Sequence, residues 1–237
     1  MAAEGAAGCG DGGSPAGQPG LRERKKRATR QALGMAAMRL AVQRGLENVL
    51  VEDIAAAADV SPRTFNNYFA SKYEAICALA LDRSYRIGEA LAERPDGERL
   101  WDAVCQAVRA VYSAAAVPPD PQLTAGIRLV TSSPALRGEY LKALAIMQYE
   151  LADAITARTA GDPDSDLFFS RALAGAVTSA VQAATERWVA ADPPVALAPV
   201  IEDALRGLAA GMLEILPGQA PPGRRTENHA PAVAVSG

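Results

Sequence analysis

The chain has 237 residues, 49% hydrophobic and 22% charged, with a net charge of −3. This is the balance of one large or two small globular domains whose core needs no disulfide or metal staple. The single histidine, His229, falls in a Pro/Gly-rich tail, so no histidine of the body can serve a Ser-His-Asp or Cys-His nucleophile. Cys9, Cys77 and Cys105 form no CxxC pair and no Cys/His cluster. That argues against a zinc site, and so sparse and odd a count fits a reducing cytoplasm.

Other classes recede for similar reasons. The Gly-rich run lies in the leader and not at a strand-to-helix turn, so no nucleotide loop or cofactor is expected. Glu139 and Glu150 have no evident carboxylate partner, and no enzyme is expected. The longest uncharged apolar stretch, Ala172 to Thr185, is too short to span a bilayer and is interrupted by Thr178, Ser179 and Gln182. Residues 1–20 lack a basic n-region and an apolar h-region. They read as a disordered leader, and residues 217–237 as a disordered tail.

In chain order the pattern is helical. Alanine, about a fifth of the residues, is the best helix former. A first helix is expected over about 24–44, with Leu33, Ala36, Ala37, Leu40 and Ala41 on one face and Gly45 as its stop. Gly34 weakens it locally. A short helix follows over 51–58, with Ile54, Ala55 and Ala58 on one side. Ser61 then caps a helix over 62–69, with Pro62 at its first position and Phe65 and Phe69 packing inward. Ser71-Lys72-Tyr73-Glu74 reads as a capping box opening a longer helix to about Glu93. Further helices are expected at about 97–116, 121–131, 134–160, 165–191 and 194–216, several starting at or near a proline.

The charge is unevenly placed. Residues 21–72 hold ten Lys/Arg and five Asp/Glu, a net +5, which leaves −8 on the rest. A basic module on an acidic body suggests a polyanion partner. Two short helices joined by a tight turn are the geometry of helix-turn-helix DNA binding. The outward face of the second would present Arg63, Thr64, Asn66, Asn67 and Tyr68. Asn pairs bidentately with adenine and Arg with guanine, while hydroxyls and Lys reach phosphates. No acidic residue lies between Ser61 and Lys72. On composition alone, a solvated surface helix explains the same residues.

The order of the string adds to this. Thr29-Arg-Gln-Ala-Leu, Leu40, Arg44-Gly45, Val51-Glu-Asp-Ile-Ala55, Asp59-Val-Ser, Thr64-Phe and Tyr68-Phe-Ala-Ser-Lys72 resemble the N-terminal domain of the TetR family of bacterial transcriptional regulators. The likeness runs through about residues 22–76 without a gap. It implies an all-α protein with a helix-turn-helix DNA-binding domain at 21–70 and a helical effector-binding and dimerisation domain at 71–216. It implies phosphate contacts from Thr29, Thr64, Tyr68 and Lys72, and sequence reading by Arg63, Asn66 and Asn67. The string departs from the family at three places. Asp59 stands for a usual glycine, Leu50 for a usual Ser/Thr cap, and Ala41 for a common aromatic.

For the body, the resemblance implies a homodimer on a palindromic DNA operator. Its interface is expected on the stripes Leu173, Ala176, Val177, Ala180, Val181, Ala184 and Val200, Ile201, Leu205, Leu208, Met212, Leu213. The alternative is that these stripes are core. An effector pocket is expected among Trp101, Val104, Val108, Ile127, Leu144, Met147 and Phe168, with Arg109, Arg128, Tyr140 and Gln148 as polar candidates. The segment from Arg128 to Lys142 resembles, more loosely, a subgroup with acyl-CoA-like ligands, which implies an acyl-type effector. The expectation is a cytoplasmic repressor released by ligand. A DNA-binding architectural protein without effector, or a helical carrier, stays open.

Overall fold

The computed structural model describes residues 21–113, 120–160, 167–191 and 195–215, the last four as backbone alone. The expected leader and tail, with Cys9 and His229, lie outside the described residues. The helices are α1 (Leu21–Arg44), α2 (Val51–Ala57), α3 (Pro62–Asn66), α4 (Lys72–Ile76), α5 (Ala78–Ala92), α6 (Leu100–Tyr112), α7 (Pro121–Ser132), α8 (Arg137–Arg158), α9 (Leu167–Val189) and α10 (Leu197–Ile215). No strand occurs among the described residues, and the fold is all-α.

The first core is built by α1 to α4. The expected face of α1 is buried, and Ile54, Ala55, Phe65 and Phe69 close against it. Gly45 ends α1 at φ 82, the left-handed region where only glycine is unstrained. A 3-10 turn over Leu46–Asn48 then leads to α2. Leu50 caps α2 without a side-chain bond, as its apolar side chain dictates. Asp59 takes φ 54 in the turn between α2 and α3, and short polar residues tolerate that region better than most.

Two local expectations change. Regular helix in α3 stops at Asn66, and the chain tightens there. The Tyr68 amide donates to the Phe65 carbonyl at 2.9 Å. The long helix expected over 71–93 is broken at Cys77, with φ −85 and ψ 3, which separates α4 from α5. Packing accounts for the break. A Cβ on Gly34 would stand 2.8 Å from Ala78 Cβ, so α1 presses closely on the start of α5. The glycine that weakens α1 locally is what allows this approach.

The second core lies in the body. Helix α5 packs along α8, α8 on α9, α9 on α10, and α6 against α5 and α10. Ile87, Val104, Val108, Met147, Leu151, Leu173, Val177 and Ile201 fill the space between them. Arg158 of α8 donates to the carbonyls of Arg94, Pro95 and Glu98, pinning the α5–α6 loop.

The expected dimer stripes need correction. Leu173, Val177, Val181, Ala184, Ile201 and Leu205 are buried within the single chain. They are core, so they cannot also meet a second subunit. Only Ala176, Ala180, Val200 and Leu208 keep partial exposure. The side chains of Met212 and Leu213 lie outside the described residues. Helix α9 is, by length and composition, long and apolar enough to cross a membrane, contrary to expectation. Its apolar face is spent on α8 and α10.

Candidate nucleic-acid interface and effector cavity

Helix α3 is positioned from both ends. At its start the Ser61 hydroxyl accepts from the Thr64 amide at 3.1 Å and pairs with the Thr64 hydroxyl at 2.9 Å. Its inner face is Phe65, fully buried, with the Phe69 ring 5.6 Å away in a tilted pair. At its far end Arg30 of α1 is a three-way clamp. Its Nη1 donates to the Tyr68 carbonyl at 2.9 Å, its Nε meets Asp82 of α5 at 3.2 Å, and its guanidinium lies 4.4 Å over the Phe69 ring. One side chain thus ties α1, the end of α3 and the body together.

This leaves Arg63, Asn66 and Asn67 exposed on the outer face, with Thr64 and Tyr68 half-exposed at its edges. The planar fork of Arg and the amides of Asn are the groups that read base edges. Arg22, Arg24, Lys25, Lys26 and Arg27 stand exposed along the first turns of α1. Thr29 lies well inside α1 and its hydroxyl donates to the Lys25 carbonyl at 3.0 Å, which leaves its oxygen free to accept.

Lys72 is placed differently from expectation. Its ammonium donates to the carbonyls of Leu46 and Val49, both at 3.0 Å, and lies 5.5 Å from the Tyr73 ring centre. It braces the segment between α1 and α2, with one of its three donors left for another acceptor. The capping box is also shifted by one residue. Ser71 accepts from the Glu74 amide at 3.1 Å, while Glu74 Oε2 accepts from the Ala70 amide at 2.9 Å.

Between head and body lies a cavity of about 50 Å3. It brings together four of the expected pocket residues, Ile127, Tyr140, Leu144 and Met147. The other seven lie elsewhere. Val104 and Val108 are buried in the body core, with Trp101 packed against it. Arg128 points away and donates to the Val189 carbonyl at 2.6 Å. Gln148 is exposed beside Gly175, and Phe168 is 79% exposed. Arg109 pairs on the surface with Glu202 at 3.2 Å. Helical spacing places residues on a face without saying which neighbour that face meets.

Sequence reasoning missed the cavity's other walls. Met38 of α1, Ile76 of α4 and Cys77 at the break form its head side, and Arg83, Tyr112 and Gln182 add polar groups. Among the described residues the Tyr112 hydroxyl has only the Met147 sulfur, at 3.9 Å. Burial, with Tyr112 and Glu186 adding to it, pushes the Tyr140 phenol up to about 12. Burial, and then the nearby Glu139, pushes the Cys77 thiol up to about 12, so it stays a protonated, inert thiol.

A clamped short helix with an exposed Arg/Asn face, set on a basic three-helix head, defines a helix-turn-helix protein. The comparisons agree. Residues 35–76 match the family described as bacterial regulatory proteins of the tetR family, and residues 98–213 match an MftR C-terminal domain of the same family. The HTH-type transcriptional regulator TcmR of Streptomyces glaucescens is 39% identical over 158 residues, covering 62% of this chain and 68% of that protein. Two solved structures share the fold at 16% identity. The fatty acid degradation regulator FadR of Bacillus halodurans has a TM-score of 0.54, covering 78% of this chain and 96% of that one. A TetR-family regulator of Syntrophomonas wolfei has a TM-score of 0.57, covering 82% and 100%. The chain belongs to the TetR family and is a DNA-binding transcriptional regulator.

Proposed function

We propose that the chain is a ligand-released cytoplasmic repressor. It acts as a homodimer whose two α3 helices enter successive major grooves of a palindromic operator, with residues 21–70 as reading head and 71–216 as sensing body. Arg63, Asn66 and Asn67 read bases. Thr29, Thr64, Tyr68 and the spare donor of Lys72 hold phosphates.

The observation that carries the reading is the shared cavity. Met38 of the head and Ile76 of α4 face Ile127, Leu144 and Met147 across it. A molecule that enlarges this space by displacing α1 or the α4–α5 break also moves the clamp that Arg30 places on α3. Ligand then lowers operator affinity by its preference for the displaced state and by no more than that. The acyl-CoA expectation rests on the 128–142 likeness alone. Ligand pockets typically run to roughly 300–1,000 Å3, so any such occupant must open the cavity first.

The test is fluorescence anisotropy on palindrome-bearing DNA from just upstream of the chain's own gene. Random duplex serves as competitor, and long-chain acyl-coenzyme A as one trial effector. Preference for the upstream duplex over random DNA, relieved by a small molecule, is the expected result. Equal affinity for both duplexes would favour the architectural alternative.

A further inference from the structure

We propose that the effector is a compact apolar acid whose ionised group is held by Arg83 in the cavity between head and body; this rests on the ligand-released reading above. The cavity wall is mainly apolar, formed by residues such as Ile76, Ile127, Val130, Leu144 and Val181. Arg83 of α5 is the one cationic side chain lining it. Its only close partner among the described residues is the face of the Tyr112 ring, 5.1 Å from the guanidinium carbon. Among the described residues no carboxylate pairs with it and no hydrogen bond satisfies its five donors. The side chain is half-buried, and partial desolvation pulls its pKa down. Arg86, one turn along, adds like-charge repulsion.

The guanidinium keeps contact with solvent, so its donors are open to a partner that arrives later. The guanidinium fork matches carboxylate geometry bidentately, and in an apolar site such a bond is stronger than in water. The Tyr112 hydroxyl, satisfied only by a thioether, and the Tyr140 phenol are available as further donors to the same anion. The acid must be compact, since the closed cavity holds only a few waters. Met38, Leu144 and Met147 are the flexible walls that can yield to it.

The acid also reaches the switch. Arg83 sits two helical turns from the Cys77 break and next to Asp82, the body partner of Arg30. Neutralising Arg83 while pushing on Met38 and Ile76 would bias both connections to α3 at once.

The experiment uses the full chain and matched probes, 1-naphthoate and octanoate against their neutral amides, read by calorimetry. At least one acid is expected to bind, with its amide about tenfold weaker or worse, and Arg83→Gln is expected to remove that difference. The proposal is overturned by amides that bind as well as their acids, or by acids that bind Arg83→Gln unchanged. It is also overturned if neither acid binds at millimolar concentration. Calorimetry needs no DNA, so failure of operator recognition would sink the repressor reading while leaving this result to stand or fall by itself.

Discussion

Head and body are built from the same kind of amphipathic helix, yet they use polar groups in opposite ways. In the head, Arg63, Asn66 and Asn67 stand in water, and the cations that are partly buried are all satisfied. Arg30 has a carbonyl, a carboxylate and a ring, and Lys72 has two carbonyls. In the body, the half-buried Arg83 has only a ring for a partner among the described residues, and the Ser170 and Thr178 hydroxyls are buried with no hydrogen bond. A satisfied frame around an exposed polar face suits a surface that must dock rigidly. Unsatisfied buried groups suit a site that completes itself on binding.

The largest test of this contrast is truncation of the two cores. Phe65→Ala should cost about 3–5 kcal/mol and abolish operator binding, because Phe65 alone fixes the inner face of α3. Leu151→Ala, equally buried in the body, should cost about 2–5 kcal/mol. As long as the chain stays folded, it should leave DNA affinity within about twofold. Urea melts and anisotropy on the same samples read both. Loss of DNA binding by folded Leu151→Ala would erase the distinction.

Within the head, Asn66→Ala or Asn67→Ala should each cost about 1–3 kcal/mol on the operator and almost nothing on random DNA, if the side chains read bases. Equal losses on both duplexes would refute that role. Tyr68→Phe and Lys72→Ala should weaken all DNA alike, and Lys72→Ala, which removes a charge, should also make the salt dependence shallower. The two part company in stability. Lys72→Ala also removes two charge-assisted bonds to the 46–49 segment and should lower the urea midpoint, whereas Tyr68→Phe should not.

The last test uses alkali, and it reads the body and its junction. Cys77 is raised from 9.0 to about 12, Cys105 from 9.0 to about 11, and Tyr140 from 10.0 to about 12, each mainly by burial. A raised acid stays neutral in the fold while the unfolded chain ionises. Its contribution is therefore whole below pH 9 and lost between about pH 9 and 12. Melting temperature should hold from pH 7 to 9 and fall above that. A flat profile to pH 11 would show that these groups are not buried as described.

Much of the head was legible because its signals are local. Gly45 and Asp59 announce positive φ, Ser61 and Ser71 announce caps, and the Phe65/Phe69 spacing announces the inner face. What the sequence hid depends on distant partners. Ile76-Cys77-Ala78-Leu79 reads as continuous helix, and the break there goes with the packing of Gly34 on Ala78. Arg30 looks like one more residue of a basic run until Asp82 and Tyr68 arrive beside it. The apolar stripes of α9 and α10 have one pattern whether they meet α8 or a second subunit, and periodicity cannot choose between them. Arg83 is one of many arginines in the string, and only the cavity around it makes it unusual.

The central claim is that paired α3 helices read a two-fold operator. Selection of binding sites from a random-sequence duplex library by the purified full chain tests it most directly. The account predicts enrichment of a palindrome with half-sites about one DNA turn apart, lost in Asn66→Ala/Asn67→Ala. Recovery of no enriched sequence, or of a single asymmetric site, would contradict it.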